Sequence, residues 1–312
     1  MKHINQLDYL KCIFIILMVI FHLVYINDKY PYIKQIIYTF HMPAFLVISG
    51  YLTNVSKEFG AFFKRMLWIF IPYAIMEGGY VIMSTMLPVR EGVEEFTLGI
   101  MLRKIFVAPI GPYWYLHTLI ICSVVYYIIN RACRRVNHVS FLIILSMSLG
   151  IFAYGFRLLS FANVLYFIAG VAIFRSKLEF LSIFQPSPWA IIPFIALCFS
   201  PEGLDRFTLA GFAMTYLIIS FLLFLYDWTP SKWRKTGCFI GRNTLVILLF
   251  SPIFTMTARI FVPFFSFDPS GLCFTAVTLI FVIVGCMCIA WVMDKIHVSP
   301  YFFGEKQVLK RM

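Results

Sequence analysis

Apolar stretches of about 20 residues recur along the whole length of this chain, each long enough to cross a bilayer. Lipid offers no partners to backbone N–H and C=O groups, so a spanning segment must satisfy its own. That restricts the chain to an all-α, polytopic membrane protein, with about ten transmembrane helices in one bundle. The balance agrees: 61% of the 312 residues are hydrophobic and 13% are charged, where a soluble domain carries about a quarter. No soluble domain fits in what remains, and without repeats or linkers the economical reading is a single domain over 1–312.

Hydropathy places the spans at 8–26, 33–53, 63–86, 113–130, 140–155, 158–174, 188–200, 207–226, 239–262 and 272–294. The seventh is short and bounded by Pro188 and Pro201, and the fifth and sixth are joined by a tight turn near Gly155 and Arg157. The first is too long for a signal-peptide core, carries Lys11 and His22, and precedes no small-residue cleavage site, so it is expected to be retained.

The net charge of +12 is expected to face anionic lipid from cytoplasmic loops, not nucleic acid. With the N-terminus inside, Lys57, Lys64, Arg65, Arg131, Arg134, Arg135, Arg175, Lys177, Lys232, Arg234 and Lys235 fall in inner loops. The tail adds Lys295, Lys306, Lys310 and Arg311. Outer loops hold about half as many cations, with Glu91, Glu94, Glu95, Glu202 and Asp205 among them. This asymmetry predicts an even number of spans and both termini cytoplasmic. The eight cysteines show no zinc or disulfide spacing, and no metal is expected. The longest loop, 87–112, is external on this reading. Its amphipathic stretch, Phe96 to Val107, either lies on the membrane surface or covers a site, or is an ordinary connection.

Ionisable groups inside spans are costly and point to function. Lys11 and His22 are eleven residues apart, which on a helix brings them within roughly 20° of one another and about 16 Å apart along the axis. Asp8, three residues before Lys11, is a helical ion-pair partner. His41 belongs to FHMPAFLVISGYL, at a depth near that of His22, with Pro43 freeing a carbonyl and Ser49 and Gly50 permitting close helix approach. His22 and His41 are the candidate catalytic groups, suited to proton transfer near neutral pH or, for His22, to carrying a transferred group transiently. Lys64 and Arg65 are either plain positive-inside residues or, with Lys11, a grip on phosphates. Glu77 is buried and needs a partner. The geometry predicts a cation and an imidazole lining one common passage that opens to the cell interior.

The stretches LDYLKCIFIILMVIFH, FHMPAFLVISGYL, KRMLWIFIPY, GPYWYLHTL and GRNTLVILLFSP, in this order, resemble the acyltransferase-3 family of membrane acyltransferases, in particular its fucose 4-O-acetylase-like branch. The family's Arg, ten residues, then His is here Lys11 and His22, so the charge is kept and the bidentate fork lost. Its Arg-x-x-Arg is here Arg65 and Trp68. GPYWYL matches around Trp114, whereas His117 has no counterpart to carry over. Asn243 and Thr244 match, but Leu248 and Ser251 stand where a Tyr and a His are usual.

The resemblance implies an O-acyltransferase of the bacterial cytoplasmic (inner) membrane. It would move an acetyl or other short acyl group from cytosolic acyl-CoA to a sugar hydroxyl of an envelope glycan or lipid-linked precursor. Acetyl-CoA would be a co-substrate, with no permanently bound cofactor. Lys11, Lys64 and Arg65 would hold its phosphates; Trp114, Glu77 and Asn243 are candidate substrate-binding residues. Membrane lipids are the other partners, nucleic acid is not one, and a homodimer is left open. The competing readings are an exporter of a lipid-linked sugar or polysaccharide and an inactive scaffold, for which Trp68 and Ser251 argue.

Overall fold

The computed structural model describes residues 4–86 and 92–310. Glu91 and Arg311, counted above among the loop and tail charges, lie outside the described residues. Among those described every regular element is helical: α1 Asn5–His22, α2 Val24–Lys29, α3 Pro31–Leu52, α4 Phe59–Met86, α5 Leu98–Phe106, α6 Trp114–Ala132, α7 His138–Gly150, α8 Phe161–Arg175, α9 Phe180–Ile183, α10 Ile191–Cys198, α11 Leu209–Trp228, α12 Ser231–Arg242, α13 Thr244–Thr257, α14 Leu272–Lys295 and α15 Ser299–Phe302. Eight helical segments are long and apolar enough to cross a membrane, and two shorter apolar ones, Phe161–Arg175 and Pro188–Cys198, stand where the sixth and seventh spans were expected. The protein is an all-α polytopic membrane protein.

Of the boundaries that differ from hydropathy by four residues or more, two fall at a polar or extended residue that hydropathy averages away. The first span ends at His22, because Leu23 turns extended (φ −70°, ψ 109°) and starts the short α2. The ninth begins at Thr244, not 239. Asn243 (φ −105°, ψ 20°) breaks the chain, and the preceding residues belong to the polar α12, which buries Gly237, Cys238 and Gly241 against α1.

Apolar surface does not drive helices together in lipid; close packing does. α1 runs through the core, burying Leu7, Leu10, Phe14, Ile15 and Met18 among α3, α11, α12 and α13. α3 packs most extensively on α8, with their backbones in direct contact. A Cβ at Gly170 would come 2.0 Å from the Val47 carbonyl oxygen, and one at Gly50 would come 2.1 Å from that of Phe167. Pro252 lies inside α13, and the Tyr113 hydroxyl donates to the Leu249 carbonyl (2.7 Å) three residues before it. Asp8, 4% exposed, pairs with Lys11 (2.8 Å) and Arg242 (3.2 Å), tying α1 to α12.

Candidate active site

His22 closes α1, and His41 lies in α3 two residues before Pro43. Each imidazole Nδ1 lies 2.6 Å from the carbonyl oxygen one turn back in its own helix, that of Met18 for His22 and Ile37 for His41. A carbonyl only accepts, so Nδ1 carries the proton in both rings and Nε2 is left with its lone pair. The Tyr38 ring sits between them, 6.4 Å from His22 and 5.2 Å from His41 by ring centroids.

Both histidines line one cavity of about 970 Å³. Its wall also carries Trp114 and His117 from α6, Asn163 from α8, and Ser251 from α13. Three buried acceptors at this wall have no hydrogen-bond partner: Asn27 Oδ1, His41 Nε2 and Asn163 Oδ1. Lys34, Arg157, Arg206 and Arg259 line it too, and no Asp or Glu does among the described residues.

The segment 107–112 forms part of the same wall, whereas of the amphipathic stretch Phe96 to Val107 only Val107 reaches it. Polar groups hold the segment there. Glu77 Oε1 accepts from the Ile110 N–H (2.8 Å), the Tyr73 hydroxyl donates to the Ile105 carbonyl (2.6 Å), and His117 Nε2 donates to that of Phe106 (3.0 Å). Glu77 therefore has its partner in this loop and does not itself line the cavity. Gly111 turns the chain at φ +61°, where a Cβ would meet the Tyr80 ring at 2.9 Å, and delivers Trp114 to the wall.

The phosphate-binding candidates sit elsewhere. Lys11 and Arg65 line a second cavity of about 230 Å³, which shares no lining residue with the first. Lys64 is exposed near this end and lines neither. The common passage expected from the spacing is thus divided. Lys11 and His22 do share a helix, but they line separate cavities. Phe45, Tyr115 and Leu248 are the lining residues of the small cavity nearest the large one along α3, α6 and α13. Phe45 and Tyr115 pack ring to ring at 5.7 Å, and Ser49 and Tyr115 hold their hydroxyls 2.7 Å apart.

Asn243 lines neither cavity. Its amide accepts from the Lys310 N–H (2.8 Å) and donates to the carbonyl oxygens of Phe239 (2.8 Å) and Lys310 (3.2 Å). Asp294 accepts from the N–H groups of Val308 (2.9 Å) and Leu309 (3.1 Å). Together they fold the tail back on the bundle, where the Trp68 ring lies against Gly304. Trp68 thus packs on the tail.

Sequence reasoning left Asn27, Asn163 and Arg206 unnamed. A signal existed for Asn163, a polar residue inside an apolar run. None existed for Asn27 and Arg206, which lie outside the apolar runs and meet the site only through packing. No group of three or more His, Cys, Asp or Glu among the described residues could hold a metal.

No curated protein and no solved structure matches the chain. A family model does: acyltransferase-3, described as an acyltransferase domain, matches residues 4–292. Two histidines with free Nε2 lone pairs on one buried cavity suit that activity, and the match spans nearly the whole chain. The protein is a membrane acyltransferase and belongs to the acyltransferase-3 family.

Proposed function

We propose that the protein transfers an acetyl or other short acyl group from acyl-CoA to a sugar hydroxyl of an envelope glycan or its lipid-linked precursor, in the bacterial inner membrane with both termini cytoplasmic. The observation that carries this is the pair His22 and His41. Each is fixed by a backbone carbonyl with Nε2 basic, on a cavity whose wall keeps three unpartnered acceptors. Sugar hydroxyls are donors that such acceptors want. Trp114 offers an aromatic face, and about 970 Å³ suits a saccharide.

On this reading coenzyme A phosphates dock at Lys11 and Arg65, with Lys64 beside them, and the acyl arm reaches past Phe45, Tyr115 and Leu248. A cavity of about 230 Å³ is too small for the whole nucleotide, so most of it stays outside and the side chains at the partition give way. His22 Nε2 takes the hydroxyl proton as the oxygen attacks the thioester carbonyl. A C–O bond forms, the C–S bond breaks, and the imidazolium returns its proton to the departing thiolate. Holding the reactants together in a dry site supplies much of the acceleration. The family assignment decides for the enzyme over the exporter. Glu77 and Asn243 act through the loop and tail that they hold.

The test is thiol release from acetyl-CoA by purified protein with and without acceptor glycan. His22→Ala should lower acceptor-dependent release by about 10²–10⁴-fold with coenzyme A binding retained. Release at the wild-type rate in His22→Ala would overturn this mechanism.

A further inference from the structure

The large cavity is cationic beyond what an uncharged sugar requires. Four cations, Lys34, Arg157, Arg206 and Arg259, reach its wall and no acid does among the described residues. They come from four separate places in the chain: α3, the turn after α7, the loop before α11 and the turn after α13. A generic positive loop does not converge in this way. Lys34 lies over the Tyr38 ring at 5.3 Å, beside both histidines. Arg259 makes its own interaction within the protein.

Arg206 is half-buried, and among the described residues its guanidinium has no hydrogen-bond or ion-pair acceptor. Burial pulls its pKa below the ordinary arginine value, with Tyr166 and the neighbouring Asp205 acting the other way. The Asp205 carboxylate is exposed and accepts from the Phe207 N–H (2.8 Å). A partly desolvated guanidinium that stays charged is stabilised by a bidentate anion.

Arg157 adds an independent observation. It holds φ 54°, a left-handed conformation that is strained for a residue with a side chain and open to glycine. A cation is therefore kept at the cavity wall at a position where the backbone favours glycine.

We propose that the acceptor is an anionic glycan, bearing a phosphate or carboxylate on the sugar that receives the acyl group or on its neighbour, and that Arg206, Lys34 and Arg157 bind that anion in the large cavity. This rests on the acyl-transfer reading for the word acceptor. The binding itself can be measured without turnover.

The experiment measures binding to the full-length protein in nanodiscs, by intrinsic tryptophan fluorescence and thermal shift. The probes are glucose 1-phosphate, glucuronic acid, glucose, inorganic phosphate and coenzyme A. Both anionic sugars should bind at least about tenfold more tightly than glucose, and the preference should shrink with added salt. Arg206→Gln and Arg157→Gly should each lower the anionic-sugar affinity about tenfold and leave glucose unchanged. Arg157→Gly relieves backbone strain, so its loss of binding cannot come from misfolding. Equal affinity for glucose and the anionic sugars would overturn the proposal. So would inorganic phosphate binding as tightly as the sugar phosphate, which would mark a headgroup or free-phosphate site. Coenzyme A losing affinity in Arg206→Gln would also overturn it, by making the cationic wall the donor site. If anionic sugars bind as expected but no thiol is released, the acyl-transfer reading fails and this one stands. If the wild-type protein acylates glucose as well as its charged analogues, the reverse holds.

Discussion

A histidine within an apolar helix, whether at its end like His22 or near its middle like His41, has few ways to satisfy Nδ1, and both use the carbonyl one turn back. That bond fixes the tautomer and the ring plane without help from a third side chain, which is why no carboxylate is needed beside either ring. Glu77 has a different task. Its Oε1 holds the Ile110 N–H, and with it the turn that sets Trp114. Glu77→Ala leaves that buried donor unpaired and should cost about 1–3 kcal/mol of stability. Thermal unfolding in detergent checks the cost. The loosened turn should raise KM for the acceptor several-fold with a smaller change in kcat, and Glu77→Gln, which keeps an acceptor oxygen, should recover most of both. Glu77 was legible in the sequence as a buried acid in want of a partner, but the partner is a backbone N–H 33 residues on, and no pattern of side chains points to a backbone group.

At the level of helices, the site depends on how closely α3 and α8 approach. His41 rides on one and Asn163 on the other, and Gly50 and Gly170 let their backbones touch. Gly170→Val would place a side chain where even a Cβ falls 2.0 Å from the Val47 carbonyl oxygen. The helices would have to separate, at a cost of about 1–3 kcal/mol or more. A lower melting temperature, together with weaker saccharide binding, is the expected result. The role of Gly50 was readable from its small neighbours, because close packing in lipid selects small residues. Its partner was not: α8 carries a small pair too, Ala169 and Gly170, but a small pair marks a close approach without naming the helix that makes it. The spans themselves were readable to within about five residues, and at His22 and Thr244 the difference arises where a local backbone turn outweighs average hydropathy.

Across the whole molecule, the two hollows and the layer between them set how donor and acceptor meet. Phe45 occupies that layer. In a chain whose eight cysteines are replaced, Ser251→Cys should react with a membrane-impermeant thiol reagent applied at the face into which the large cavity opens, and hardly at all from the Lys11 face. Adding Phe45→Ala should allow labelling from both faces; unchanged one-sided labelling would show that Phe45 is not the barrier. Hydropathy and the order of motifs settle the class, the helices and the family, because in a bilayer each apolar segment must become a helix wherever it ends up. Which polar residues share a wall depends on helix rotation and on backbone contacts between segments distant in the chain. That is why His22 and His41 were foreseen together, while Lys11 parted from His22, and Asn27, Asn163 and Arg206 joined the site only once the bundle had packed.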